Sequence, residues 1–216
     1  MNILKGFLGT LFPDRCVDCK ARGSLLCGTC LKKVAPASAP AQNFITSVFA
    51  YHDFRVKRLV WLLKYRNARH VAEICAPALA GALTEFLGEE HSFLGDRPIL
   101  AVPIPLSKKR LRTRGYNQAE LLAKEMIKLL PPGRAVLDTR LLQKIAETKP
   151  QADIKKRNIR LVNLGDCFKV FPDRRNAGEL VVLIDDVTTT GATLTAARKA
   201  LRAAGFAKVY ALTVAH

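Results

Sequence analysis

The chain has 216 residues, of which 49% are hydrophobic and 25% are charged, a composition typical of folded globular proteins. It excludes collagen-like, low-complexity and intrinsically disordered classes, and it allows one ordinary domain with an appendage or two small domains. Lys and Arg (35) outnumber Asp and Glu (18), so the formal net charge is +17. This excess predicts attraction to an anion such as nucleic acid, a phosphate compound or an acidic membrane.

The N-terminus and the hydropathy pattern favour a cytoplasmic protein without a membrane span. The sequence has no run of about 18 apolar residues, so it predicts no transmembrane helix. Met1–Phe12 is short and apolar, but Pro13-Asp14-Arg15 follows where a signal peptide needs a small-residue cleavage site. Four of the six cysteines lie within fifteen residues. Such clustering favours a local site in a reducing compartment over a distributed disulfide framework.

Two C-x-x-C motifs with seven residues between them lie near the N-terminus, and they comprise Cys16, Cys19, Cys27 and Cys30. Each motif lets two thiolates bind one ion from a tight turn, and two motifs complete a tetrahedral zinc site with no open position. Two disulfides or a redox-active pair are the alternatives. The pattern favours a structural Zn²⁺ in a small zinc-ribbon-like segment. Cys75 and Cys167 have no partner at ligand spacing and are predicted to be core thiols.

A stretch rich in Pro and Ala, Val34–Pro40, follows this segment and cannot continue a helix or a paired strand. We therefore divide the chain into residues 1–40 and 41–216. Phe44–Tyr51 is rich in β-branched and aromatic residues and predicts a strand.

A helix is predicted over Arg55–Arg66, because apolar residues recur at helical spacing. Those apolar residues are Val56, Leu59, Val60 and Leu63. The opposite side of this helix carries Lys57, Arg58, Trp61, Lys64 and Tyr65. Basic residues interleaved with aromatic ones can follow a phosphate backbone and stack on bases. A solvated helix face with partly packed aromatic residues is the alternative.

The rest of the pattern alternates strands with helices, which implies βαβ units and a parallel sheet. In chain order it predicts a helix at Val71–Leu87, a strand within Pro98–Pro105, a helix at Gln118–Leu130 after an Asn117 N-cap, a weak strand at Ala135–Leu137, a polar stretch at Arg140–Asn163, a strand at Leu180–Ile184, a helix at Thr193–Ala204 and a strand at Lys208–Val214.

A phosphate-site pattern follows the continuously apolar strand Leu180–Ile184. Asp185 and Asp186 come directly after this strand, and a loop of small and hydroxyl residues then opens into a helix. The loop residues are Thr188, Thr189, Thr190, Gly191, Ala192 and Thr193. Ligands of open α/β sheets bind at the carboxyl ends of the strands, and helix N-termini bind anions. The segment therefore predicts carboxylates for sugar hydroxyls beside a phosphate-binding loop.

This segment resembles the phosphoribosyl pyrophosphate motif of type I phosphoribosyltransferases. The resemblance implies that Asp185 and Asp186 hold the ribose hydroxyls and that Thr188–Thr193 bind the 5′-phosphate. An ATPase Walker B strand also ends in acids, but no G-x-x-x-x-G-K-[ST] motif is present. A Rossmann-like turn with capping threonines is the other alternative.

The resemblance extends to the ComF/GntX family over nearly the whole chain. It rests on the doubled C-x-x-C, Val102–Ser107, Arg114–Gln118, Thr148, Gln151, Arg157-Asn158 and the Asp-Asp-Thr motif, in this order. Such proteins join a zinc-binding segment to a phosphoribosyltransferase domain, and several are linked to DNA uptake in natural competence. The resemblance implies a type I phosphoribosyltransferase fold with bound phosphoribosyl pyrophosphate and Mg²⁺.

Two further stretches are placed by this resemblance. Residues 106–110, after the strand that ends in Pro105, correspond to a pyrophosphate-binding loop. The candidate contacts to pyrophosphate are Ser107, Lys108 and Arg114. Lys109, Arg110 and Arg112 supply further positive charge. The polar stretch Arg140–Asn163 corresponds to a mobile loop that closes over the site. Solvated basic residues and a structural basic helix are the respective alternatives.

Two functional hypotheses follow from the sequence. In the first, the protein is a phosphoribosyltransferase with an unspecified acceptor. In the second, it is a non-catalytic accessory of DNA uptake that binds single-stranded DNA and other uptake proteins and keeps the fold as a ligand sensor. The charge is concentrated accordingly: three windows without acidic residues, 55–69, 107–114 and 155–160, hold 15 of the 35 basic residues.

Overall fold

Five parallel strands form the central sheet of the protein. The computed structural model describes residues 14–38, 42–66, 68–89, 98–145, 167–171 and 180–216. In chain order the strands are β1 (Ile45–Phe49), β2 (Ile99–Pro103), β3 (Ala135–Leu137), β4 (Leu142–Lys144), β5 (Phe168–Val170), β6 (Val181–Val187) and β7 (Val209–Ala215). The sheet order is β1-β7-β6-β2-β3, and β4 pairs with β5 in a separate antiparallel ribbon.

Helices cover both faces of this sheet. In chain order they are α1 (Gly28–Leu31), α2 (Phe54–Tyr65), α3 (His70–Glu89), α4 (Lys108–Arg114), α5 (Gln118–Ile127) and α6 (Ala192–Ala203). α3 and α5 pack on each other, and α6 packs against β5 and β7. Alternate residues of β6 enter two separate cores, so Val182 and Ile184 belong to one core and Val181 and Leu183 to the other. This double coverage explains the continuously apolar sequence of β6.

The boundary between β2 and β6 is the point at which the chain changes direction across the sheet. β2 continues through α5 to its neighbour β3, whereas β6 continues through α6 to its neighbour β7 on the other side. Pro103 is in register with Ile184. The segments that follow these two strands therefore leave the sheet at one edge, where open α/β sheets bind their ligands.

The described residues confirm the predicted α/β class, with a parallel sheet, flanking helices and a four-cysteine N-terminal segment, as in a type I phosphoribosyltransferase fold. Three details differ from the sequence predictions. β6 continues through both aspartates to Val187, the predicted loop at 106–110 leads into the helix α4, and the polar stretch at 140–163 contains the short strand β4. Residues 146–163 of that stretch, with Thr148, Gln151 and Lys155–Asn158, lie outside the described residues.

One helix among the described residues is long and apolar enough to cross a membrane by length and composition, namely His70–Gly88 within α3. Of this window, 44% is buried inside the protein. Leu79, Leu83 and Leu87 belong to the core that also holds residues of α5 and β6. The core position explains the apolar composition of α3.

The N-terminal segment packs on α2 and α3. Cys16, Leu26 and Cys30 belong to the same core as Leu59 and Leu63. The division of the chain at residue 40 stays a prediction. The two remaining cysteines, Cys75 and Cys167, are buried, which confirms them as core thiols, and burial raises the pKa of Cys75 to about 12.

Candidate functional site

Two neighbouring carboxyl groups mark the end of β6. Asp185 is half-buried and Asp186 is buried, and at this end of β6 both carboxyl groups line one cleft. Asp186 is 3% exposed, and its backbone N–H donates to Asp185 Oδ1 at 2.8 Å. Lys64, near the end of α2, forms an ion pair with Asp186 in which Nζ and Oδ1 are 3.0 Å apart.

The carboxyl pair includes one oxygen that the described residues leave unpaired, and one carboxyl group with a raised pKa. Asp186 Oδ2 is buried and has no hydrogen-bond partner among the described residues. Burial, with the negative charge of Asp186, raises the pKa of Asp185 to about 7, although the Asp186 N–H, Lys64 and Lys144 oppose this rise. Buried polar atoms in native proteins normally have partners. A cation or hydroxyl groups from a ligand would satisfy both carboxyl groups.

The loop after β6 begins in the core and reaches the surface. Thr188 is buried, and its N–H donates to Ala215 O at 3.0 Å. Thr189 and Thr190 are exposed, and Gln42 Nε2 donates to Thr190 O at 3.0 Å. The loop is therefore fixed at its start by β7 and near its end by the segment before β1.

The loop ends at Gly191, which precedes the first residue of α6, Ala192, with a φ of +71°. An added Cβ at Gly191 would lie 2.6 Å from Gln42 Oε1 and 3.0 Å from Ile45 Cδ1. The positive φ favours glycine here, and a larger residue would also displace the side chain of Gln42. Gly191 has no side chain to cap α6, so the first turn presents the anion-binding geometry of a helix N-terminus.

The opposite side of the site is the basic helix α4. The Ser107 hydroxyl accepts a hydrogen bond from Arg110 N at 3.4 Å and caps the helix, and Gly115, with a φ of +77°, ends it. The helix carries Lys108, Lys109, Arg110, Arg112 and Arg114. Because α4 follows β2 at the edge where β6 ends, three of these positive charges, Lys109, Arg110 and Arg114, line the same cleft as the carboxyl pair.

A cleft of about 1100 Å³ lies between these elements, slightly larger than most small-molecule sites. Its acidic residues are Asp185 and Asp186, and its basic residues are Lys64, Arg66, Lys109, Arg110, Arg114 and Lys144. Of the other predicted site residues, Thr193 lines the cleft. Ser107, Lys108 and residues 188–192 do not line it, and Ser107 acts as the cap of α4.

The four cysteines of the N-terminal segment form a second candidate site. All four Sγ atoms lie within 4.8 Å of one another, and Cys19 Sγ is 3.6 Å from Cys27 Sγ of the other motif. Tetrahedral zinc with four thiolates at about 2.3 Å places sulfur atoms roughly 3.8 Å apart. The geometry and the donor set fit a structural Zn²⁺ bound by Cys16, Cys19, Cys27 and Cys30.

The electrostatics of the cluster also fit a cation. Burial raises the pKa of Cys16, but backbone N–H groups of Cys27, Asp18 and Cys19 donate to its sulfur, so the pKa is lowered to about 6. Burial and the neighbouring thiols raise the pKa of Cys30 to about 12. Four sulfur atoms this close cannot all ionise without a positive charge between them.

Comparison with known proteins assigns the family. The chain is 31% identical over 157 residues to competence protein ComFC of Bacillus subtilis, covering 72% of this chain and 56% of that protein. It is 30% identical over 174 residues to DNA utilization protein YhgH of Salmonella typhimurium, covering 81% of this chain and 70% of that protein. The chain belongs to the ComF family. It is also 28% identical over 189 residues to competence protein F of Haemophilus influenzae, covering 85% of this chain and 75% of that protein. No family model matches the chain.

In this ComF-family chain, the segment Arg114–Gln118 joins the cleft to α2. The Tyr116 hydroxyl donates to Leu63 O, and Arg114 Nη1 donates to Gln118 Oε1. Asn117 caps α5 by accepting from Ala119 N at 3.0 Å, as predicted, and donates to Ile104 O at 3.0 Å. These contacts hold the ends of α2, β2, α4 and α5 together beside the carboxyl pair.

Sequence reasoning missed three basic residues of the ComF-family cleft, Lys64, Arg66 and Lys144. Lys64 was assigned to the basic and aromatic helix face, but it lines the cleft and binds Asp186. Lys144 belongs to β4, inside the stretch predicted as a polar loop. A basic residue among many basic residues carries no local signal, so only the tertiary structure identifies these three.

The remaining side of α2 carries exposed aromatic rings next to the cleft. Trp61 is 36% exposed and Tyr65 is 66% exposed, with ring centroids 6.2 Å apart. The guanidinium groups of Arg58 and Arg66 lie 4.5 and 5.4 Å from the Trp61 ring. We call Arg58, Trp61, Tyr65 and Arg66 the aromatic ridge. Tyr65 and Arg66 also line the cleft, so the ridge and the cleft are continuous.

The other end of α2 is fastened to the cysteine segment of this ComF-family protein. Arg55 Nε is 2.7 Å from Asp18 Oδ2, within the first C-x-x-C motif. Arg55 Nη1 binds Asp53, the N-cap of α2, at 2.8 Å and donates to Lys33 O at 3.3 Å. One helix thus contacts the cysteine segment at its start and the cleft at its end.

Proposed function

We propose that this protein binds phosphoribosyl pyrophosphate with Mg²⁺ in the cleft and acts in DNA uptake during natural competence. The observation that carries the proposal is the carboxyl pair of β6, which lies between the N-terminus of α6 and the basic helix α4 at the switch point of the sheet. Each of these three elements matches one part of the ligand: ribose hydroxyls, a 5′-phosphate and a pyrophosphate.

The proposed ligand positions follow from the charges. Asp185 and Asp186 accept hydrogen bonds from the ribose 2′ and 3′ hydroxyls. Thr193 lines the cleft, and at that end the loop Thr188–Thr193 and the first turn of α6 hold the 5′-phosphate. Lys109, Arg110 and Arg114 face the pyrophosphate, because they line the cleft and Arg and Lys are the usual phosphate ligands. Ser107 and Lys108 support this side through the cap and the charge of α4.

The carboxyl pair also fits a divalent cation. Asp186 Oδ2 is a buried carboxylate oxygen without a hydrogen-bond partner among the described residues, and Mg²⁺ binds through one or two carboxylates together with substrate phosphates. When bound with the ligand, Mg²⁺ neutralises negative charge on the pyrophosphate. The zinc of the four-cysteine cluster is structural in this proposal, because four thiolates leave no open position.

The chemistry that such a cleft supports is phosphoribosyl transfer. The bond between C1 of the ribose and the pyrophosphate oxygen breaks, and its electron pair leaves with pyrophosphate. An acceptor nucleophile forms the new bond to C1 and gives up its proton. Asp185 and Asp186 stabilise the positive charge that develops on the ribose, and the basic residues stabilise the leaving group.

Calorimetry with phosphoribosyl pyrophosphate and Mg²⁺ tests the proposal. We expect the wild-type protein to bind, and we expect Asp185→Ala or Asp186→Ala to weaken binding about 100-fold, since hydrogen bonds to charged groups contribute about 1.5–3 kcal/mol each. Glu85→Ala, which removes an exposed acid of α3, is the matched control and should bind as wild type. Unchanged affinity in both aspartate variants would refute the proposed site.

A second candidate function rests on the aromatic ridge. Exposed aromatic rings flanked by guanidinium groups can stack on the bases of single-stranded DNA and neutralise its phosphates. In this reading the protein is a non-catalytic accessory of DNA uptake, and the cleft serves as a ligand sensor. Both candidates fit the relatives, which are named competence and DNA utilization proteins. Four cysteines grouped as metal ligands and two buried core cysteines suit a cytoplasmic location for either function.

Single-stranded DNA binding should depend on Trp61 and on salt. We expect Trp61→Ala to weaken binding of an oligonucleotide about tenfold, because stacking on one base contributes about 1–3 kcal/mol. Affinity should fall linearly on a log–log plot against salt concentration. Phe54→Ala is the matched control, since Phe54 is another exposed ring of α2 beside an arginine but lies at the far end of the helix. A flat salt dependence would count against this function.

A further inference from the structure

The ion pair between Lys64 and Asp186 is the contact in the cleft that neither motif accounts for. Lys64 lies on α2, outside both the loop after β6 and the basic helix α4. Its side chain is 23% exposed, and it lines the cleft. An ammonium group has three donors, and Asp186 Oδ1 accepts one of them at 3.0 Å.

The position of Lys64 is fixed by the residues around it. Leu63 is 1% exposed, and its carbonyl accepts the hydrogen bond of the Tyr116 hydroxyl. Arg66 N donates to Leu62 O at 3.0 Å at the end of the helix. The backbone of Lys64 is therefore held between a buried residue and a helix end, while its flexible side chain can turn from one partner to another.

The pairing leaves Asp186 half satisfied. One carboxylate oxygen binds Lys64, but the other is buried without a partner among the described residues. A buried ion pair that serves stability alone is expected to satisfy its remaining oxygen, because an unpaired buried acceptor is costly. The open oxygen instead indicates that a ligand completes the coordination of Asp186, and this competes with Lys64 for the same carboxylate.

We infer that Lys64 is a further binding residue of the cleft, which is paired with Asp186 in the free protein and turns its ammonium group to the pyrophosphate when that group binds. This inference rests on the proposed function. The direction of this movement follows from charge, because three other basic residues of the cleft, Lys109, Arg110 and Arg114 of α4, line the side assigned to pyrophosphate. The exchange keeps both Asp186 and Lys64 paired in the free and the bound protein.

A double-mutant cycle with inorganic pyrophosphate as the probe separates this role from a structural one. Calorimetry without Mg²⁺ would compare wild type, Lys64→Met, Asp186→Asn and the double variant. We expect Lys64→Met to weaken binding about tenfold or more. We expect Asp186→Asn to strengthen it several-fold, because the lysine is released from its partner. The double variant should remain weak.

Restored wild-type affinity in the double variant would overturn the inference, because Lys64 would then act only by neutralising Asp186. Equal affinity in wild type and Lys64→Met would overturn it as well. The double variant removes both charges and leaves no buried unpaired ion, so it keeps the test open if Lys64→Met folds poorly. Lys57→Met, an exposed lysine of the same helix outside the cleft, should bind as wild type. Failure of wild type to bind any pyrophosphate compound would refute the proposed function itself.

Discussion

Chelating the metal from the four-cysteine cluster is expected to unfold residues 14–38 and to lower the thermal midpoint of the whole chain. Metal binding supplies folding free energy to such segments, about 10–16 kcal/mol in zinc-finger peptides. Among residues 14–38 the only helix is the four-residue α1. Leu26 and Cys30 share a core with Leu59 and Leu63. A loss of roughly 5 kcal/mol from this shared core would lower the midpoint by about 10–20 °C.

Native mass spectrometry, metal analysis and thermal unfolding measure this effect. Wild type should contain one zinc per chain, and Cys30→Ser should lose it and show the low midpoint of the chelated protein. Cys75→Ala is the matched control, because Cys75 is also buried but belongs to α3. It should keep the zinc and lose only about 1–2 kcal/mol of packing energy. Two disulfides among these four cysteines, in protein purified under reducing conditions, would contradict the zinc assignment.

The contact between the cysteine segment and α2 extends the expected effect to the cleft. Arg55 binds Asp18 and Lys33 O of the segment, and α2 carries Lys64 at its other end. Hydrogen exchange should therefore increase after chelation in residues 14–38 and in the first turns of α2. Unchanged protection of α2 would show that the helix is held by the sheet alone.

The pattern of apolar residues was sufficient to predict most of the fold. Val56, Leu59, Val60 and Leu63 recur at helical spacing, and all four are buried in α2. The unbroken apolar run at the start of β6 predicted a strand covered on both faces, and β6 is the middle strand of the sheet. These predictions succeed because burial of a continuous or periodic apolar face is the dominant free-energy term in either element.

The helix α4 escaped prediction because its side chains oppose it. Lys108 and Arg112, and likewise Arg110 and Arg114, place like charges four residues apart, which destabilises an isolated helix. Terminal signals were nevertheless present in the sequence: Ser107 as N-cap and Gly115 in the left-handed conformation after the last turn. Reading these two residues as a pair would have predicted the helix.

The carboxyl pair and its loop were recognisable in the sequence because they are contiguous. Lys64 was not, since more than one hundred residues separate it from Asp186. The two meet only because β6 lies next to β7 and β2 in the centre of the sheet and the end of α2 reaches the carboxyl end of β6. Long-range pairing of this kind depends on strand order, which one sequence does not encode in any local pattern.

The contribution of Asp185 to the stability of the protein should fall between about pH 4 and pH 7. Burial and the charge of Asp186 raise the pKa of Asp185 from 3.8 to about 7. In this window the folded state binds more protons at Asp185 than the unfolded state does, so the free energy of unfolding decreases as pH rises. The stabilisation is complete below the unfolded pKa and is lost once the pH has passed the folded pKa. Each pH unit contributes at most about 1.4 kcal/mol.

Asp185→Asn should remove this pH dependence, because an amide of the same shape does not titrate. Urea unfolding at pH 5 and pH 8 would compare the variant with wild type. We expect the variant to gain stability relative to wild type at pH 8, with the difference between the two proteins growing by a few kcal/mol from pH 5 to pH 8. Glu85→Gln, which changes the net charge equally at an exposed position of α3, should follow wild type at both pH values.

Ligand binding should show the opposite dependence on pH, because a cation requires ionised Asp185. Affinity for phosphoribosyl pyrophosphate with Mg²⁺ should rise by up to tenfold per pH unit as the pH approaches 7 from below and should level off above pH 7. Calorimetry in buffers of different ionisation enthalpy should show that binding releases one proton in this range. As the pH rises towards 7, ionisation of Asp185 therefore lowers the free energy of unfolding and increases the affinity for the ligand. Parallel pH profiles for wild-type stability and wild-type affinity would show that Asp185 does not carry this proton.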